Sequence, residues 1–299
     1  MKADELEKCL GLDRWVLQEK VNGERCIVSV HKADVTARNR QGRRLDAAPA
    51  ASHALSRIGC DATFDGERGV GRVEGNYSIF DFLEMNGESL RAQPFAVRFR
   101  LLVETLAQAG LIGQIGPTIQ RNTPVVPGLY VLSPAIGEQA KRRALAEIKQ
   151  GGGEGVVLRS LTGPSMAGDT RHERKFKFRS EIDCIVLGLK PGGSAGSVRL
   201  GLIRPADGRI IEVGSVRAGL TDDDVRRVGG RLAAGARPII TVEFLPVRTT
   251  GIRLAEPTTS PSSLRTDKTP GECTTDQLVD LLGEDRTGEV SRAIPFAAF

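Results

Sequence analysis

Short runs of alternating apolar and polar residues, cut again and again by glycine and proline, constrain this chain more than any other feature. Such runs read as half-buried strands. They fall at 15–19, 24–30, 33–38, 61–67 (DATFDGE), 76–83 (NYSIFDFL), 128–132 and 154–159 (EGVVLR). Two helical patterns interrupt them. One opens at Pro94, a residue suited to a first helical turn, and stops at Gly110. The other runs from Glu138 into the stop at Gly151, Gly152 and Gly153. The segments are too irregular for successive βαβ units, and no repeat period is visible. A mixed α/β fold with largely antiparallel neighbours is expected.

After Ser180 the texture changes. EIDCIVLGL, SVRLGLIR, GRIIEVGSV and RPIITVEFLPV read as short strands between glycine and proline turns. One helix, TDDDVRRVGGRLAAG, interrupts them, with Thr221 as its cap and three aspartates where they complement the helix dipole. About five strands and one helix fit a small all-β barrel of the OB type. The boundary is placed near residues 179–182, giving a first domain of 1–180 and a second of 181–299.

Composition sets the class. With 299 residues, 40% hydrophobic and 26% charged, the chain suits a soluble globular protein of two domains. No apolar run approaches the ~20 residues of a membrane helix, and the N-terminus lacks the apolar stretch of a signal peptide. A cytoplasmic protein with no membrane partner is expected. Five scattered cysteines without a CxxC pair argue against a disulfide frame or a zinc site. A net charge of +5 suits a polyanionic partner. At 4% aromatic residues, rows of stacking rings for single strands are not expected, and duplex phosphates fit better.

One lysine, Lys20, lies in the strand-like stretch WVLQEKVNGERCIVSV and is followed by Asn22, Gly23 and Arg25. K-x-N-G-x-R is too short to stand alone. It is followed in order by FDGE (Asp65 to Glu67), FDFLEMNGESL from Phe80, EGVVLR from Glu154, RKFKF with Lys175 and Lys177, and LRTDKTPGECTTDQL from Leu264. This series resembles the covalent nucleotidyltransferases, most closely the ATP-dependent DNA ligases, along nearly the whole chain.

The resemblance implies that Lys20 attacks the α-phosphate of ATP and passes the captured AMP to a 5′-phosphate at a nick in duplex DNA. Desolvation beside Lys175, Lys177 and Arg25 would help an amine shed its proton. Phe80 is similar to the ring that stacks on adenine, and Gln18, on the face of Lys20, to the residue that accepts the adenine amino group. Arg25, Arg38, Glu67, Lys175 and Lys177 join the nucleotide-binding set. Glu154, with Glu67, becomes a ligand of Mg²⁺ or Mn²⁺. Arg265, Asp267 and Lys268 match the last ligase motif, which orients the pyrophosphate leaving group on a second domain that closes over ATP.

Two departures stand out. Asn22 occupies a position that is usually Asp, so an amide replaces a charge and slower adenylation is expected. Ser263 stands where the family has a further arginine, and Arg253 is a candidate substitute. Only nineteen residues precede Lys20, which matches a minimal two-domain, monomeric ligase without a large N-terminal DNA-binding domain. An RNA ligase or a mixed DNA/RNA end-joining enzyme uses the same lysine chemistry and is the alternative. A capping guanylyltransferase would take label from GTP, and a non-enzymatic nucleic-acid binder would take none.

Overall fold

The computed structural model describes residues 3–46, 49–69, 76–111, 123–166, 171–192, 196–246, 249, 252–259 and 264–282. The chain divides into two compact units, Met1–Lys177 and Phe178–Phe299.

The first unit runs through α1 (Ala3–Leu10), β1 (Trp15–Glu19), β2 (Glu24–His31), β3 (Asp34–Asn39), β4 (Arg44–Leu45) and α2 (Pro49–Leu55). It continues with β5 (Ala62–Arg68), β6 (Tyr77–Met85), β7 (Glu88–Ser89), α3 (Phe95–Gln108), β8 (Thr123–Val126) and β9 (Leu129–Val131). It closes with α4 (Glu138–Gln150), β10 (Gly155–Ser160) and β11 (Glu173–Lys177). Two sheets result. The larger has the order β4-β3-β2-β5-β6-β9-β8, with β7 beside β6, and the smaller is β1-β10-β11. The expected antiparallel pattern holds except between β6 and β9, which run parallel because α3 and β8 separate them in the chain.

Alternation on β2 buries Cys26, Val28 and Val30, which pack with Phe64, Ile79 and Phe82 of the neighbouring strands and with Leu102 and Leu106 of α3. The Phe64 and Phe82 rings stack with centroids 5.0 Å apart. Pro94 precedes α3 without a side-chain cap. Instead, the first helical N–H groups of Phe95 and Ala96 donate to the carbonyls of Gly163 and Leu161, both at 3.0 Å, so a distant loop completes the helix start. Lys141 on α4 is fully buried, and its Nζ donates to the carbonyls of Cys9, Leu12 and Trp15 at 3.3, 2.8 and 3.0 Å. It thereby fixes the chain between α1 and β1. Burial pushes the Lys141 ammonium pKa down, with Asp13 and Glu138 opposing.

The second unit contains β12 (Ser180–Lys190), β13 (Ser197–Ile203), β14 (Ile210–Val216), α5 (Asp222–Ala233), β15 (Ile239–Phe244), β16 (Leu264–Arg265) and α6 (Asp276–Leu282). Its sheet order is β14-β13-β12-β15-β16, antiparallel throughout. Thr221 caps α5 as its sequence predicts, its hydroxyl accepting from the Asp224 N–H at 3.2 Å while its own N–H donates to the Asp224 carboxylate at 2.9 Å. Val225 and Val228 of that helix enter the core formed by Val186, Leu200, Val213, Ile240 and Phe244.

All five cysteines are free thiols, four of them buried. Among the described residues no helix is long and apolar enough to cross a membrane.

One ion pair lies wholly inside the first unit. Arg98 of α3 is 1% exposed and donates through Nε and Nη2 to the two carboxylate oxygens of Asp81, both at 2.8 Å. Its Nη1 donates to the carbonyls of Gln93, at 2.5 Å, and Gly163, at 3.1 Å. Removing one partner strands a buried charge, so Asp81→Asn is expected to cost about 3–5 kcal/mol in denaturant unfolding. A loss below about 1 kcal/mol would show that Arg98 keeps its place through the carbonyls alone.

Candidate active site

β1 pairs with β10 in the register Trp15↔Ser160 to Glu19↔Val156. The ladder extends one step further, because the Lys20 N–H donates to the Gly155 carbonyl at 2.9 Å. Lys20 and Glu154 therefore emerge side by side at the end of the same pair of strands. Lys20 Nζ lies 2.5 Å from Glu154 Oε1, and Lys177 Nζ lies 3.7 Å from the same oxygen. A glutamate before a strand is ordinarily solvent-exposed, yet Glu154 is 2% exposed. The expected cationic surroundings of Lys20 are thus corrected in part. Lys177 is near, but a carboxylate stands against the amine, Arg25 is engaged by Asp65, and Lys175 pairs with Glu173 at 3.0 Å.

Lys20 also lies where the chain leaves one sheet for the other. Gly23 makes that crossing, and a Cβ there would sit 2.3 Å from the Arg68 carbonyl oxygen of β5. Its N–H donates to Glu67 Oε1 at 3.2 Å. Glycine after Lys20 is therefore a packing requirement of β5, independent of any motif. Gly155 has the same reason. A Cβ there would meet the Phe176 carbonyl at 2.1 Å.

A cavity of about 90 Å³ adjoins the lysine, lined by Gln18, Lys20, Arg25, Glu67, Phe80 and Lys175 among others. Gln18 is 1% exposed and donates through Nε2 to the Leu132 carbonyl at 2.6 Å. Its Oε1 is a buried acceptor with no hydrogen-bond partner among the described residues. Phe80 is half-buried, whereas Ile79 and Phe82 are fully buried. The cause is a register shift between β5 and β6: Asp65 faces Asp81 and Gly66 faces Ile79, so Phe80 is passed over and its ring turns toward the cavity.

Sequence reading gave no role to Arg159, Glu173 or Asp65. Arg159 places its guanidinium 5.1 Å from the Phe80 ring centroid and 5.5 Å from that of Phe95. Its Nη1 lies 3.0 Å from Glu173 and 3.6 Å from Asp81. Asp65 takes Arg25 in a two-pronged pair at 3.0 and 2.5 Å. Burial raises the Asp65 carboxyl pKa although Arg25 opposes it. For Glu173 burial acts upward, but Arg159 and Lys175 hold the carboxyl below its usual range. The signal for Glu173 was the alternation that aligns it with Lys175 and Lys177.

The remaining expected residues lie elsewhere. Arg38 is exposed on β3, donating to the Gly42 carbonyl at 3.1 Å, and is not among the residues lining the cavity. In the sheet it stands opposite Ile27 of β2. In the second unit Arg265 donates to Asp267 at 2.8 and 2.6 Å and lies 3.6 Å from Asp183, while Lys268 pairs closely with Asp183. The Arg265 bond brings the Asp267 pKa down to about 2. Arg253 is exposed and acts electrostatically on Glu212; Ser263 lies outside the described residues.

No family model matches the sequence, and no curated protein matches it. Solved structures do. The chain is similar to Pmar-Lig_Pre at 15% identity over 89% of this chain and 66% of that chain, with a TM-score of 0.65. It is similar to Pmar-Lig_PreS3 at 15% identity, over 86% and 65%, with a TM-score of 0.63. It is similar to a structure of the Lig E DNA ligases at 18% identity, over 85% and 94%, with a TM-score of 0.56. The chain therefore shares the fold of those structures.

The crossing at Gly23 is open to test. Gly23→Ala is expected to lose about 1–3 kcal/mol of unfolding free energy through overpacking against β5. Gly11→Ala, whose nearest atom would lie at 3.8 Å, is expected to stay within about 0.5 kcal/mol of the parent. Equal stability of both variants would remove the packing reason for Gly23.

Proposed function

We propose that the chain is an ATP-dependent DNA ligase that seals 5′-phosphate/3′-hydroxyl nicks in duplex DNA through a lysyl-AMP intermediate. The observation that carries this reading is the pairing of Lys20 with Glu154 at 2.5 Å beside a cavity furnished for a purine nucleotide. The unpartnered Gln18 Oε1 can accept from the adenine amino group, and the Phe80 ring, which lines the cavity, can take the base. Arg25, Glu67, Lys175 and Lys177 offer charge and hydrogen bonds to ribose and phosphates. The second unit is read as the OB-type domain, with domain bounds of 1–180 and 181–299.

In the first step Lys20 Nζ, as the free amine, forms a bond to the α-phosphorus of ATP, and the bond to the β-phosphate oxygen breaks to release pyrophosphate. The AMP then passes to the 5′-phosphate of the nick, and the 3′-hydroxyl displaces it. Glu154 positions the Lys20 side chain until the nucleotide arrives, and the proton that the amine gives up on bonding to phosphorus passes to solvent. Glu154 and Glu67 supply carboxylate oxygens, the donor type Mg²⁺ prefers when phosphates complete its shell. Bound there, the ion would neutralise charge on the transferring phosphate. Arg265, Asp267 and Lys268 act on the leaving group.

Incubation with labelled ATP and Mg²⁺ is expected to yield a labelled band on a denaturing gel, lost in Lys20→Ala. Uptake on the same peptide by the alanine variant would overturn the assignment, and label from GTP alone would point to a capping enzyme. The division of labour has its own measurement, single-turnover sealing of a nick supplied already adenylated. Arg265→Ala should adenylate poorly yet seal that substrate, whereas Glu154→Ala should fail at both. Equal failure of the two in sealing would end the first-step role of the C-terminal motif.

A further inference from the structure

Asp183 of β12 is a buried acid, 6% exposed, to which the chemistry proposed above gives no part. Aspartate seldom leaves water so fully unless its charge is met. Its place follows from the sheet. Asp183 stands opposite Thr241 of β15, and Ile239, two residues earlier on β15, stands opposite Arg265 of β16. Side chains on a strand return to the same face at every second residue, so Asp183, Thr241 and Arg265 share one face. On the other flank of β12, pairing with β13 begins only at Ile185. Gln277 of α6 fills that gap, accepting from the Asp183 N–H at 3.2 Å and donating to its carbonyl at 3.3 Å. Because both backbone groups turn to Gln277, Asp183 and Thr241 form a non-hydrogen-bonded cross-strand pair, the kind whose side chains approach most closely. The Thr241 hydroxyl accordingly donates to Asp183 Oδ1 at 2.6 Å.

That fixed carboxylate gathers two cations. Lys268 donates to Asp183 Oδ2, and Arg265 Nη1 lies 3.6 Å from Oδ1. Burial acts upward on the Asp183 carboxyl, yet the bonds from Lys268 and Thr241 hold its pKa below the usual range. It therefore stays ionised at neutral pH. The cations differ from it in exposure, at 32% for the Arg265 side chain and 30% for that of Lys268. Each is gripped from within and keeps part of its surface toward solvent. An ammonium carries three donors, so a bond to Asp183 leaves Lys268 able to meet a phosphate oxygen without letting go.

We infer that Asp183 is a positioning residue for the first step, holding Arg265 and Lys268 in the geometry in which they receive the leaving pyrophosphate. That role rests on the ligase reading, and within it on the part given to those two cations. Asp183 itself touches no substrate. It acts by fixing where positive charge is presented, so that the charge need not be reorganised when pyrophosphate departs.

Asp183→Asn tests this, since it keeps the shape and an acceptor for Thr241 while removing the charge. Both cations are partly exposed, so the change strands no buried ion. Single-turnover AMP uptake at saturating ATP should slow by about ten- to a hundredfold, as expected when a group that meets the leaving phosphate is misplaced. Sealing of a nick supplied already adenylated should match the parent, which also shows that the variant is folded. In an Arg265→Ala/Lys268→Ala background, Asp183→Asn should change uptake no further, because a residue that acts through others adds nothing once they are gone. Thr241→Val keeps the β-branched shape and removes the hydroxyl that steadies Asp183. It should show the same selective loss in smaller measure, and it decides the matter if Asp183→Asn does not fold. Unchanged or faster uptake, equal loss in both assays, or a further loss in the Arg265→Ala/Lys268→Ala background overturns the inference. Failure of the parent to take up AMP is a different result, and it sinks the ligase reading itself.

Discussion

The buried pair between Asp81 and Arg98 is the interaction on which the rest of the first unit depends. Two ions removed from water cost several kcal/mol each unless every donor and acceptor finds a partner. Here nearly every one does: Arg98 spends its guanidinium on Asp81, Gln93 and Gly163, and Asp81 Oδ1 also accepts from the Phe82 N–H at 2.9 Å. The pair joins α3 to the large sheet, while Gly163, just beyond the small sheet, is held by the same side chain. With Arg159 3.6 Å from Asp81, the network reaches β10. The cation over Phe80 is thus tied to a fully buried carboxylate.

Close backbone approach is the second constraint. Gly23 and Gly155 stand where β5 and β11 leave no room for a side chain. Lys141 complements them from the other end of β1, where its ammonium donates to the carbonyls of Cys9, Leu12 and Trp15. β1 is therefore fixed at both ends by groups that take no part in the chemistry proposed for the site.

Much of this was legible from local pattern. Alternation located most of the strands, proline, glycine and Thr221 marked helix limits, and period two aligned Gln18 with Lys20 and Lys175 with Lys177. What escaped depends on partners far away in the chain. The bulge that turns Phe80 outward needs β5 in register beside it, and the pairing of Asp81 with Arg98 needs α3 folded back over β6. The short helices α1 and α2 and the brief strands β4, β7 and β8 gave too few periods to read. Lys268 and Arg265 were legible only through their likeness to the last ligase motif; that Asp183 of β12 holds both becomes visible only when β12 and the C-terminal segment are side by side.

The ladder between β1 and β10 has a consequence for how such a site tolerates change. Lys20 and Glu154 owe their proximity to a shared reading frame, since one step beyond Glu19↔Val156 brings both out together. A slip of one residue would turn Gln18 and Lys20 to the opposite face at a stroke, and a slip of two would carry the amine about 7 Å along the strand. Insertions and deletions in β1 or β10 are therefore all-or-none for this centre. Point substitutions elsewhere on the same strands, which leave the frame intact, can accumulate without parting the lysine from its carboxylate.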